Sequence, residues 1–105
     1  PGLVKDLAAD RRHHILDGDG PDSGGHRYGV NPGKSEFPRD WSDDESIDRI
    51  MATALRPTWA LPSGDGYLAI AEHRGRLVHV VIQNGEVWTA YPISKRQLAK
   101  KLGGT

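Results

Sequence analysis

The chain has 105 residues, no cysteine, and a formal net charge of zero. That length suits one domain, 1–105, with a single core; the missing cysteine excludes disulfides, thiolate nucleophiles and Cys-ligated metal centres; and no apolar run approaches the ~20 residues of a membrane span, so no membrane is expected among the partners. The charges are uneven: residues 1–66 carry eight Lys/Arg against twelve Asp/Glu, residues 67–105 six against two, which would draw a polyanion to the C-terminal part.

Leu3, Val4, Leu7 and Ala8 recur at i, i+1, i+4 and i+5, which predicts a short helix over 3–12 that frays into His13 and His14. Between Asp17 and Pro38 the glycines and prolines exclude regular structure for about twenty residues, a length that marks a functional loop in a compact domain. Tyr28, Phe37 and Trp41 are large apolar groups that argue for a packed loop. Ser42-Asp43-Asp44-Glu45 reads as a capping box, with the Ser42 hydroxyl and the Glu45 carboxylate satisfying each other's main-chain N–H. Ile47, Ile50, Met51, Ala54 and Leu55 would form the buried stripe of the helix it opens, and Pro57 would end it.

Beyond this helix the period changes to two. Residues 67–73, 76–83 and 86–92 read as strands of an antiparallel meander, turning at Arg74-Gly75 and Asn84-Gly85. A two-residue turn at 84–85 sets Gln83 opposite Glu86, hence Val80 opposite Thr89 and Val78 opposite Tyr91, with His79 on the other face. His73 and His79 then read as structural, and the three tryptophans as packing. Residues 93–102 predict a terminal helical turn with Leu98 and Leu102 inward. The class expected is α+β, with N-terminal helices followed by a twisted antiparallel sheet.

The loop holds the chemistry. Asp17, Asp19 and Asp22 suggest a calcium loop, but Pro21 and Asp22 stand where the EF-hand needs an oxygen ligand and a glycine. Zinc or manganese on His13 or His14, Asp19 and His26 is an alternative, without a standard ligand spacing. The same residues also suit acid–base chemistry without a cofactor. Metal-independent RNA cleavage needs one imidazole to take the 2'-OH proton, a second to protonate the 5'-oxygen, and a cation near the phosphorus. His14, His26 and Lys34 match that requirement, and Arg27 is a candidate phosphate contact.

The stretches "HILDGD", "GGHRYG", "GKSEFPRDWSDD" and "TAYP", in that order over residues 14–92, resemble the bacterial EndoU nuclease family, toxin modules at the C-termini of secreted polymorphic and contact-dependent inhibition proteins. More faintly, the chain is similar to the coronaviral uridylate-specific endoribonuclease. The resemblance implies an EndoU/RNase A-like (BECR-type) toxin fold and makes His14 the general acid, His26 the general base and Lys34 the catalytic lysine. Tyr91 would stack on or orient the scissile nucleotide and Thr89 would contact substrate. Pro38 stands where the viral enzyme has a serine, so a strict uridine preference is not carried over. It further implies RNA, possibly transfer RNA, as substrate, cleavage to a 2',3'-cyclic phosphate and a 5'-hydroxyl, a cognate immunity protein as partner, and a monomer. The chain would be secreted as the C-terminal part of a larger effector and act in the target-cell cytoplasm. A metal-dependent nuclease and a non-catalytic RNA-binding module are the competing expectations.

Overall fold

The computed structural model describes residues 5–20, 24–31 and 35–103. Its elements in chain order are α1 (Ala9–Leu16), α2 (Asp43–Leu55), β1 (Trp59–Ser63), β2 (Gly66–His73), β3 (Arg76–Gln83), β4 (Glu86–Ile93) and α3 (Lys95–Lys101). The strands form one antiparallel sheet in the order β1-β2-β3-β4, making the fold α+β. Among the described residues no helix is long and apolar enough to cross a membrane.

Arg74 and Asn84 take φ of 50° and 54° in the two foreseen turns, as hairpin turns that follow the strand twist require. β1 was not foreseen. It is five residues long and contains Pro62, and it is tolerated because it is an edge strand with β2 as its one neighbour in the sheet. The larger correction concerns β4. Gln83 pairs with Glu86 and Ile82 with Val87, but Val81 then pairs with Thr89 and His79 with Tyr91. Trp88 is the extra residue of a β-bulge, which turns every later residue of β4 to the opposite face. His79 therefore shares a face with Thr89 and Tyr91.

Helices cover both faces. On one, Ile15 of α1, Ile50 and Ala54 of α2, and Phe37 of the loop pack on Ala69, Val78, Val80, Ile82, Val87 and Ala90. Burying a side chain such as Phe37 or Ile50 contributes about 1.5–3 kcal/mol, so the loop is held to the sheet by its own apolar anchor. On the other face, Ile70, Leu77 and Ile93 meet Trp59, Leu61, Tyr91 and Leu98 of α3.

The helices differ from expectation in detail. α1 begins at Ala9 and runs through both histidines, because residues 5–8 lie along the last hairpin, where the Lys5 N–H donates to the Gly85 carbonyl at 2.8 Å; Leu3 and Val4 fall outside the described residues. In α2 the Ser42 hydroxyl accepts from the Glu45 N–H at 3.1 Å, but the Glu45 carboxylate turns to Arg49 at 3.3 Å, leaving half of the expected box. The reciprocal box stands instead on α3, between Ser94 and Gln97. The buried side of α2 is Ser46, Ile50, Thr53 and Ala54, while Leu55 is exposed. Leu102 is exposed too, as it lies just past the last turn of α3.

Candidate active site

α1 ends against the loop that follows it. Its last three carbonyls, those of His14, Ile15 and Leu16, have no partner within the helix, and they accept from the N–H groups of Gly25 (3.0 Å), His26 (2.7 Å) and Arg27 (3.1 Å). This pairing carries His26 back beside the turn that bears His14. It depends on glycine: a Cβ on Gly24 would lie 1.9 Å from the His14 carbonyl oxygen, at a φ of +71° that other residues avoid. The His14 ring lies against the same position, with Cε1 3.2 Å from it. The Gly-Gly-His sequence thus closes the end of a helix and places the second histidine in one step.

The neighbouring histidines of α1 point apart. His13 is exposed and pairs with Asp17 at 3.3 Å, whereas only 13% of the His14 side chain is exposed and its Nδ1–H donates to the Asp19 carboxylate at 2.6 Å. An acceptor on Nδ1 orients the ring and leaves Nε2 as the second nitrogen, the arrangement used by acid–base histidines backed by a carboxylate.

His26 is fixed at three points. Its N–H donates to Ile15, its carbonyl accepts from Phe37 at 2.8 Å, and its Nδ1–H donates to the Ser35 carbonyl at 2.7 Å. A carbonyl only accepts, so Nδ1 carries the proton of this bond, and in the neutral tautomer the acceptor nitrogen is Nε2.

The sheet presents Tyr91 to this loop. The Tyr91 ring lies 5.3 Å from His26 and 4.8 Å from His79, centroid to centroid, giving a column His26–Tyr91–His79. Burial raises the Tyr91 pKa and keeps the phenol neutral. Thr89 lies two residues earlier on the same face, half-buried. His79 is 1% exposed, and neither ring nitrogen has a hydrogen-bond partner among the described residues. Burial, with Lys101 nearby, pushes its pKa down to about 4, so the ring is neutral.

Arg27 is engaged elsewhere. Its Nε and Nη2 donate to both Asp43 oxygens at 2.8 Å, and Nη1 donates to Asp17, so the guanidinium ties the loop to the first turn of α2. The same contact holds the Asp43 carboxyl below its usual range. Lys34 lies outside the described residues. Of the alternative metal set, His14 meets Asp19, and among the described residues no three His, Asp or Glu side chains are placed to hold an ion.

The structure therefore brings His26 and Tyr91 together at the β4 edge of the sheet, with Thr89 on the same face as Tyr91 and the His14 carbonyl bonded to Gly25, next to His26. Sequence reasoning missed Asp19 as the partner of His14, the Ser35 carbonyl as the partner of His26, and His79 behind Tyr91. The Gly-Asp after the helix carried a signal for the first, whereas the other two depend on a loop path and a bulge that leave no mark in the residue pattern. No family model, curated protein or solved structure matches the chain.

Proposed function

We propose that the chain is an endoribonuclease of the EndoU type, with an EndoU/RNase A-like fold, cleaving RNA by transesterification without a metal. The observation that carries this reading is the pairing of His26 Nδ1–H with the Ser35 carbonyl, which leaves Nε2 as the acceptor nitrogen of the neutral ring beside Tyr91, on a loop bonded to the end of the helix that bears His14 and its Asp19 contact. His26 Nε2 takes the proton of the 2'-hydroxyl, and the 2'-oxygen attacks the phosphorus. The bond to the 5'-oxygen breaks, and that oxygen takes a proton from His14. The products are a 2',3'-cyclic phosphate and a 5'-hydroxyl, with the two histidines left in exchanged protonation states. Tyr91 orients the scissile nucleotide, Thr89 contacts it, and Lys34 supplies the cation for charge building on the phosphoryl oxygens. The biological role that accompanies this chemistry is a toxin module secreted within a larger effector, acting in the target-cell cytoplasm and neutralised in the producer by an immunity protein.

The test is end-group analysis of RNA incubated with the purified protein, with and without EDTA, beside an RNA carrying a single 2'-deoxy sugar at the cleaved position. Cyclic phosphate ends, insensitivity to EDTA and an uncut deoxy linkage are expected. Cleavage at the deoxy linkage, or activity lost with EDTA, would replace the histidine pair with a metal-activated water. Binding without turnover would leave an RNA-binding module.

A further inference from the structure

Among the described residues the cations before Arg74 are mostly paired, Arg39 and Arg56 excepted, and those from Arg74 onward are not. Lys5, Arg11, Arg12, Arg27 and Arg49 each have a carboxylate within 4.0 Å. From Arg74 onward, none of Arg74, Arg76, Lys95, Arg96, Lys100 and Lys101 has one among the described residues. Arg76 and Lys95, both exposed, line a cleft of about 300 Å³ together with Ser35, Leu77, Pro92 and Ile93. That volume lies at the lower end of small-ligand sites and is enough for a nucleotide fragment. Glu36, the one carboxylate on its wall among the described residues, accepts the Gly29 N–H.

The cleft adjoins the histidine–tyrosine column from two directions. Ser35 is the residue whose carbonyl holds His26. Leu77 and Ile93 pair across the same sheet face as His79 and Tyr91, two residues along, roughly 7 Å at the rise of an extended strand. An RNA strand whose scissile nucleotide sits on Tyr91 would lay its next phosphate here.

We infer that this cleft is a phosphate subsite for the nucleotide adjoining the scissile one, with Arg76 and Lys95 as its cations. The inference rests on the nuclease reading and adds to it the reason for the chain's uneven charge: the anion that balances these side chains comes from the substrate. Arg76 and Lys95 bind the neighbouring phosphate and take no part in proton transfer.

The experiment compares wild type with the double variant Arg76→Gln/Lys95→Gln, with folding checked by circular dichroism. The substrates are the best-cleaved dinucleoside monophosphate and the same compound bearing one further phosphate at its 5' or its 3' end. In wild type the added phosphate at one end should raise kcat/KM roughly tenfold, as a charge-assisted contact does. The variant should lose that gain while cutting the minimal compound at the wild-type rate. With an oligonucleotide made uncleavable by 2'-deoxy substitution, the slope of log Kd against log salt should fall by about 0.7 for each phosphate contact removed. The subsite is overturned if neither added phosphate helps wild type, if the variant keeps the gain, or if it loses as much on the minimal compound. A wild-type protein that cuts no RNA overturns the nuclease reading and the subsite with it, whereas cutting that ignores Arg76 and Lys95 overturns the subsite alone.

Discussion

The loop between α1 and α2 and the sheet that follows are held by different forces. The sheet has ladders interrupted once, by the bulge at Trp88, and an apolar core on both faces, so its stability is spread over many side chains. The loop has Phe37 in the core cluster with Trp41 packed against it, and otherwise depends on the carbonyls closing α1, the Nδ1 bonds of two histidines and the Arg27 ion pairs. Geometry set by so few contacts is exact where each is made and fails when one is removed. The candidate catalytic histidines sit on the last turns of α1 and on the loop that closes it, and Tyr91 on the sheet, so substitutions should separate activity from stability according to the region they touch.

The largest separation is expected at the two histidines. His14→Ala and His26→Ala should each lower RNA cleavage by about 100-fold or more, the usual contribution of a general acid or base, while circular dichroism shows Tm falling by only a few degrees. His13→Ala should leave the rate near wild type, since that ring faces solvent. Loss of activity in the His13 variant alone would reverse the assignment within the pair.

Gly24→Ala should affect both properties. A Cβ forced onto the His14 carbonyl at positive φ should cost about 2–3 kcal/mol in urea unfolding and also reduce cleavage sharply, because the loop can no longer lie along the end of α1. An alanine variant as stable and active as wild type would show that the loop is not held by this approach.

On the sheet side, His79 gives a pH signature. Its pKa is about 4 in the fold against about 6.5 in the unfolded chain, so the unfolded state binds the extra proton between those values. Its contribution to stability is therefore complete above pH 6.5 and lost as pH falls toward 4. In His79→Leu that loss should disappear, and at pH 7 the variant should be more stable by about 1 kcal/mol because two unsatisfied ring nitrogens are gone. Parallel stability–pH curves for the two proteins would show that His79 is hydrated or bonded in solution.

The smallest effect is expected at Arg27. The ion pairs are partly exposed, so Arg27→Gln should cost about 0.5–1 kcal/mol at pH 7. Because Asp43 has a lowered pKa in the fold, that difference is present above the unfolded Asp value and should vanish as acid protonates the carboxylate. A purely kinetic defect, a raised KM with unchanged stability, would instead make Arg27 a substrate contact.

Apart from β1, the order of elements from α2 onward was legible because each carried a local signal: Ser42 at a helix start, the 3.6-residue period after it, alternation after Tyr67, and Asn84-Gly85 between strands. The two histidines and the glycines before the second were equally visible, and the acid–base reading came from residue types alone. Local patterns settle such matters because capping, turn geometry and side-chain period involve residues only a few positions apart.

Three features came only from the tertiary structure. The bulge at Trp88 reversed the face of Thr89 and Tyr91 and brought His79 behind the ring, since one extra residue in a strand changes the facing of all that follow without altering the composition. His14 rather than His13 faces inward because Ile15 and Leu16 must reach the core and the loop must cap the carbonyls of α1. Arg27, which as an isolated cation suits phosphate, is tied to Asp17 and Asp43 because the same loop lays it over the start of α2. Each depends on a partner brought close by the folded chain, and the energy of such contacts is absent from any short stretch of sequence.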